Sequence, residues 1–469
     1  MRPGGTDRWL PVAAGIVAVA VALRLLSLAL SPTDVFVDES QYWLWGQRFD
    51  FGYYSKPPAI AWLIGAVTTL AGSDAAFWLR APAPVLHGIT ALILAGLAAQ
   101  IAGARAAIWT AAVYVTLPFV AVGSALISTD TVMAPFWAGA LLFGWRAAQG
   151  GRARDALIAG LCGGAAFLGK YAAMYLIPGL ALAALFSPVW RPGWRNAALM
   201  GLGFAAVAAP NLIWNMAHDL TTFEHTADNI GWVRHGAGLN LSSMAEFAAS
   251  QFAVFGPVTM AALLVAMIRA RGAQVGLVML TLPPLVAVLT QALLDKAYAN
   301  WAIAAYFAGT VLVVTALSAR WLRVAVAVNL IPSVLLPVLI AVAPWPVVNG
   351  QPVLVRYLGR ADLSQQIIAA AQTQRAAVLA VHRDILADLF YTGRDAGVAF
   401  YAPQPQGRAR NYYEQTFAIP DALTGPVLVV AGAAPCPGAQ PIPLTGRGVW
   451  QGRALSAWLT DADCARGVR

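Results

Sequence analysis

Residues 10–30 read LPVAAGIVAVAVALRLLSLAL, an apolar run interrupted by one charge, Arg24. At ~1.5 Å of rise per residue, a helix of this length is about as long as the ~30 Å hydrocarbon core of a bilayer is thick. The run exceeds the ~7–15-residue core of a secretory signal, and no A-x-A cleavage site precedes the acidic stretch after it. It reads as a retained first membrane span.

The same pattern recurs through the first three-quarters of the 469-residue chain. The sequence is 59% hydrophobic and 11% charged, whereas a soluble domain is about a quarter charged. Apolar runs at 10–31, 81–102, 106–123, 130–146, 156–170, 171–188, 196–214, 251–268, 274–292, 298–318 and 322–344 predict about eleven spans. A net charge of +9 raises the question of nucleic acid, but the placement of the cations excludes it. All but three of the 30 cations are arginines. Arg2, Arg8, Arg105, Arg146, Arg152, Arg154, Arg191, Arg195, Arg269, Arg271, Arg320 and Arg323 flank the apolar runs in short turns. This is the positive-inside pattern of a membrane protein.

With the N-terminus in the cytoplasm, every arginine-rich turn falls inside. Two ambiguous segments are settled by length. The run 57–72 reaches only ~24 Å as a helix and is expected along the outer interface, while 156–187 would be ~48 Å and is expected to turn near Gly169–Tyr171. The acids then sort by side. Asp7 and Asp155 stay inside; Asp34, Asp38, Glu39, Asp50, Asp130, Asp219, Glu224, Asp228 and Asp295 come out on the far face. So do all three lysines, Lys56, Lys170 and Lys296. Acids and lysines gathered on one face point to extracytoplasmic chemistry.

The expected division is a membrane domain over 1–345, with outer loops at 32–80 and 215–250, and an outer domain over 346–469. In the latter, helical periods at 362–374 and 383–393 alternate with short strand candidates at 376–381, 397–403 and 426–432, the pattern of a small α/β domain. Cys436 and Cys464 both lie there, either as a disulfide in an oxidising compartment or as two free thiols. No Cys-x-x-Cys metal spacing and no glycine-rich phosphate loop occurs.

The first outer loop carries the densest chemistry, DVFVDESQYWLWGQRFDFGYYSKPP at 34–58. Asp38 and Glu39 read either as solvated acids capping a helix that begins at Ser40, or as a general base and its neighbour. Adjacent residues on a helix diverge by about 100°, so one acid can catalyse while the other orients or caps. Tyr42, Tyr53 and Tyr54 are interfacial anchors or platforms for a sugar. Lys56, before a rigid Pro57–Pro58 corner, either meets a lipid phosphate or snorkels. Asp130 sits at the mouth of a span, as its N-cap or as part of the chemistry, and even as a cap it is expected to point towards the loop holding Asp38.

An Asp-Glu pair after the first span, then GYYSKPP, then a second aspartate near the third turn resembles the GT-C membrane glycosyltransferases. Within them the likeness is to the aminoarabinose, galacturonic acid and protein O-mannosyl transferases, which use polyprenyl-phosphate sugars. Segments 210–230 and 298–306 resemble further parts of that family, so the likeness covers about residues 10–340 and is weak over the outer domain. It implies an inverting transfer in which Asp38 takes the acceptor hydroxyl's proton with Glu39 beside it. Asp130 would then orient the acceptor or share that role, and Lys56 would neutralise the polyprenyl phosphate. In the aminoarabinose transferases an acid precedes this lysine; here Ser55 stands there, so no metal is expected to be required.

Lys170 and Lys296 join Lys56 as candidates for the donor phosphate, since a leaving phosphate needs cations whose contact strengthens as charge develops. Lys170 reads equally as the tip of a hairpin. Arg24, costly in lipid, either reaches that phosphate or a partner helix. Asn300 and Trp301 are candidates to bond and stack on a sugar, or to pack in the core. His218 and His225, with Glu224, make a weak zinc set and serve better as acceptor contacts.

The expected function is therefore transfer of a sugar from a polyprenyl-phosphate carrier to lipid A or core, a polysaccharide or another glycoconjugate. The expected place is the outer face of a bacterial inner membrane, with a periplasmic active site. A lipid-linked-sugar transporter or flippase is the alternative. Transporters usually bury ionisable groups near the midplane of repeated halves, whereas these crowd one interface and no internal repeat is seen.

Overall fold

The computed structural model describes residues 9–230 and 238–468. Arg2, Asp7 and Arg8, and the side chain of Asp228, lie outside the described residues. The chain forms two compact units: one from the segment ending at Ala29 with Asp50–Leu63 and Arg80–Val338, the other from Leu30–Phe49, Ile64–Leu79 and the chain from Leu339 on.

The first unit is a helical bundle, and the protein is a polytopic helical membrane protein. Among the described residues, five helices are long and apolar enough to cross a bilayer alone: Trp9–Ala29, Ala76–Ala102, Trp194–Ala217, Ala273–Leu294 and Ala319–Val342. Two more candidates are bent pairs, which gives five to seven by length and composition. Ala104–Thr116 and Pro118–Ala125 meet at 56°, and Leu241–Val254 and Pro257–Arg269 at 111°. The reasons are local. Pro118 disfavours the α conformation at Leu117, which is extended (ψ 138°). Gly256 sits at φ +87°, ahead of Pro257.

The expected runs at 130–146, 156–170, 171–188 and 298–318 correspond to Thr129–Gly150, Ala153–Gly169, Tyr171–Phe186 and Ala305–Ala316. The break between the second and third of these falls at Lys170, which is extended (φ −160°, ψ 135°). Helices Ala153–Gly169 and Trp194–Ala217 approach closely enough that only glycine fits. A Cβ on Gly160 would lie 2.1 Å from the Met200 carbonyl oxygen, and one on Gly164 2.8 Å from that of Phe204. The stretch 215–250, expected as a loop, contains the helix Thr221–Ile230 and most of Leu241–Val254.

The second unit centres on a five-stranded mixed sheet in the order Phe400–Tyr401, Ala377–Ala380, Pro426–Ala431, Ser456–Asp461, Gln440–Pro443. The first three strands are parallel; the last two run antiparallel to their neighbours. Three of these strands match the expected ones, and the two at 440–443 and 456–461 were not expected. Helices Arg360–Gln374 and Arg383–Thr392 cover one face, burying Leu363, Ile367, Ile385 and Leu389. Val37 of the first-loop helix Val37–Gly46 enters the same core. Cys436 and Cys464 are joined in a disulfide.

Candidate active site

The first-loop helix begins at Val37, three residues earlier than expected, and the two adjacent acids have different surroundings. Glu39, 1% exposed, turns back so that its Oε2 accepts from the Phe36 amide at 2.9 Å. It is the third residue of the helix reaching back to satisfy an N-terminal amide. The Asp38 side chain is 50% exposed. Its Oδ1 accepts from Nη2 of Arg383 at 2.6 Å, and Gln41, one turn on, accepts from Nε and Nη2 of the same guanidinium at 3.1 and 3.0 Å.

Arg383 is the first residue of its helix, immediately after the strand Ala377–Ala380 and a two-residue turn. Burial works against its charge, but the Asp38 carboxylate more than offsets this and raises its pKa. Sequence reading missed both Arg383 and Gln41. Position was the available signal, because ligands of α/β sheets gather beyond the carboxyl ends of parallel strands. Tyr42 is buried in this unit against Trp45, with ring centroids 5.6 Å apart.

The three lysines belong to the helical unit. Ser128, not Asp130, caps the helix Thr129–Gly150, accepting from the Thr131 amide. Asp130 is left for Lys170, whose Nζ donates to both carboxylate oxygens at 2.7 Å. Lys56 and Lys170 line one cavity of ≈ 300 Å³ with Ser55, Tyr171, Tyr175 and Trp301. The Lys56 segment is fastened on several sides. Its own carbonyl accepts from the Tyr53 amide at 3.3 Å, the Tyr53 carbonyl from Thr222 at 2.7 Å, and the Phe51 carbonyl from Asn211 at 2.6 Å. Gly52 lies flat on Trp214, where a Cβ would come within 2.2 Å of the ring. Tyr54 packs on His225, centroids 4.8 Å apart.

Other expected site residues lie elsewhere. Lys296 is exposed, with Nζ 5.4 Å from the Tyr298 ring centroid, and does not line the lysine cavity. Asn300 is exposed too, while Trp301 reaches the cavity. His218 stacks on Trp214 with centroids 4.1 Å apart. Arg24 is committed to partner helices: it donates to the Val115 carbonyl, to Ser124 at 3.3 Å and to Ser333 at 3.1 Å. Those bonds answer its cost of burial, and Arg24 is not among the cavity's lining residues. Among the described residues, no three His, Cys, Asp or Glu side chains converge as a metal site.

The profile of the dolichyl-phosphate-mannose-protein mannosyltransferase family matches residues 55–214, the segment holding Lys56, Asp130 and Lys170. The lipid A galacturonosyltransferase RgtD of Rhizobium johnstonii is 42% identical over 457 residues, 94% of this chain and 96% of that one. In fold, the chain is similar to ArnT from Cupriavidus metallidurans, solved in the apo state and bound to undecaprenyl phosphate. Both give a TM-score of 0.66 across 96% of this chain and 98% of ArnT, at 13% and 14% identity. The chain belongs to the GT-C family of polyprenyl-phosphate-sugar glycosyltransferases, in which the Rhizobium johnstonii lipid A galacturonosyltransferase is its relative along nearly the whole of both chains.

Proposed function

We propose that this glycosyltransferase moves galacturonic acid from a polyprenyl phosphate to lipid A at the outer face of a bacterial inner membrane. The observation that carries this reading is the likeness to the lipid A galacturonosyltransferase, 42% identical with no large segment unmatched on either side. In the reading, eleven segments cross the membrane with the N-terminus in the cytoplasm, and the chemistry is periplasmic.

Asp38 is the base. It is half exposed on the helix Val37–Gly46, while its neighbour Glu39 is occupied as a cap. As the acceptor hydroxyl attacks the anomeric carbon, Asp38 takes its proton, and the bond to the polyprenyl phosphate breaks with inversion. Lys56 meets the phosphate as a compact charge whose contact strengthens as negative charge develops. Lys170, held by Asp130, lines the same cavity and supports the same anion. Trp301, on the wall of that cavity, supplies an apolar surface beside the phosphate.

Membranes carrying the chain, supplied with polyprenyl-phosphate galacturonate and lipid A, test the reading by mass spectrometry. Lipid A heavier by one uronosyl residue is expected. Donor consumption with unmodified lipid A, or transfer only from a neutral donor, would overturn it.

A further inference from the structure

The contacts of Arg383 are unusual for a residue that only holds a neighbour in place. Its Nε and Nη2 both point at one neutral acceptor, the amide oxygen of Gln41. That edge of a guanidinium matches the two oxygens of a carboxylate, and charge-assisted pairs of this kind are roughly twice as strong as neutral ones. Nη1 carries two further donors, and no hydrogen bond from it to protein is found among the described residues. The side chain is 36% exposed, so an anion arriving from solvent can reach it.

The backbone gives an independent reason to look here. Strand Ala377–Ala380 has Phe400–Tyr401 on one side and Pro426–Ala431 on the other, all three parallel. The chain leaves the central strand for one neighbour and then crosses to the other, which makes that strand's carboxyl end a topological switch point. Open α/β sheets bind ligands at such points. Arg383 is the first helical residue beyond it.

We infer that Arg383 is the specificity residue that recognises the carboxylate of a uronic acid sugar. The sugar carboxylate takes the edge that Gln41 fills in the free protein, while Nη2 keeps its contact to Asp38. One guanidinium then holds the sugar beside the base. The inference rests on the galacturonosyl reading above, and it names the group through which that sugar is selected.

The test compares three polyprenyl-phosphate donors in the full-length enzyme: galacturonate, its methyl ester and galactose. Hydrogen bonds to a charged group contribute about 1.5–3 kcal/mol each, or roughly 10–10²-fold. Wild type is expected to lose about that factor in kcat/KM on going from galacturonate to either neutral donor. Arg383→Gln is expected to lower all three through its lost contact to Asp38 and to lose that further factor on galacturonate alone, so that the three donors become equivalent. Arg383→Lys, which keeps the charge without the fork, should fall between.

An equal loss on all three donors in the arginine variants would reduce Arg383 to a positioning residue for Asp38 and overturn the inference. So would a wild-type enzyme that uses galacturonate and its methyl ester equally well, a comparison that needs no variant to fold. Wild type that transfers galactose but no galacturonate would instead overturn the galacturonosyl reading, and this inference with it.

Discussion

Lys170 donates to both carboxylate oxygens of Asp130 at 2.7 Å, across 40 residues of sequence. The pair ties the start of the helix Thr129–Gly150 to the break that ends Ala153–Gly169. Its side chains are 10% and 19% exposed for Asp130 and Lys170, so each charge depends on the other.

Breaking this pair one side at a time is expected to cost more than removing both charges. Asp130→Asn or Lys170→Met alone should destabilise the protein by about 3 kcal/mol, because each leaves a poorly solvated charge. The double variant should recover part of that loss. Thermal unfolding of the three variants in one detergent checks the order. Additive losses would mean that the two groups do not stabilise one another.

Glu39 and Asp38 should separate in their effects although they are adjacent. Glu39→Ala removes the acceptor of the Phe36 amide and should lower stability by about 1 kcal/mol. Glu39→Gln keeps an acceptor there and should hold transfer within a few-fold of wild type. Transfer rates and melting temperatures of both variants check this. A Glu39→Gln enzyme as inactive as an Asp38 variant would reassign the base.

Asp388 makes the second unit sensitive to pH. Burial pushes its carboxyl up to about 6, although Thr392 donates to it at 3.0 Å. A raised carboxyl favours its protonated form in the folded state. Its contribution to stability is therefore full below about pH 4 and lost as pH rises through about 6. Asp388→Asn should stabilise the unit above pH 7 and flatten its dependence between pH 4 and 7. Hydrogen exchange of the sheet strands at pH 5 and 8 (corrected for intrinsic rates) reads the difference. The same dependence in wild type and variant would exclude Asp388 as its source.

Much of the fold was legible because apolar length is a local signal. The run at 10–30 needed no partner to be read as a span, and the runs at 81–102, 196–214 and 274–292 were equally plain. The 111° bend at Phe255–Gly256 was less so, since one apolar run conceals a change of direction. The strands at 440–443 and 456–461 are short, and one of them contains two prolines, which removes ladder donors.

In the site, Asp38, Lys56 and Asp130 carried their own signals of charge and interfacial position. Glu39 was readable in part, because of two adjacent acids at a helix start one can turn back as a cap while the other points away. Arg383 had only its place after a strand candidate to mark it, and 345 residues separate it from Asp38, so nothing local joined the two. The pairing of Lys170 with Asp130 was hidden for the same reason: only the packed chain brings those two turns together.

The most direct test of the account is transfer by Asp38→Asn, which keeps the size of the side chain and removes the proposed base. Single-turnover transfer from polyprenyl-phosphate galacturonate to lipid A is measured beside wild type, with donor binding as a control for folding. The account predicts intact donor binding and a rate lower by about 10²–10⁴-fold. A folded, donor-binding Asp38→Asn enzyme that keeps more than about a tenth of the wild-type rate would contradict it, since a general base contributes at least about 10²-fold.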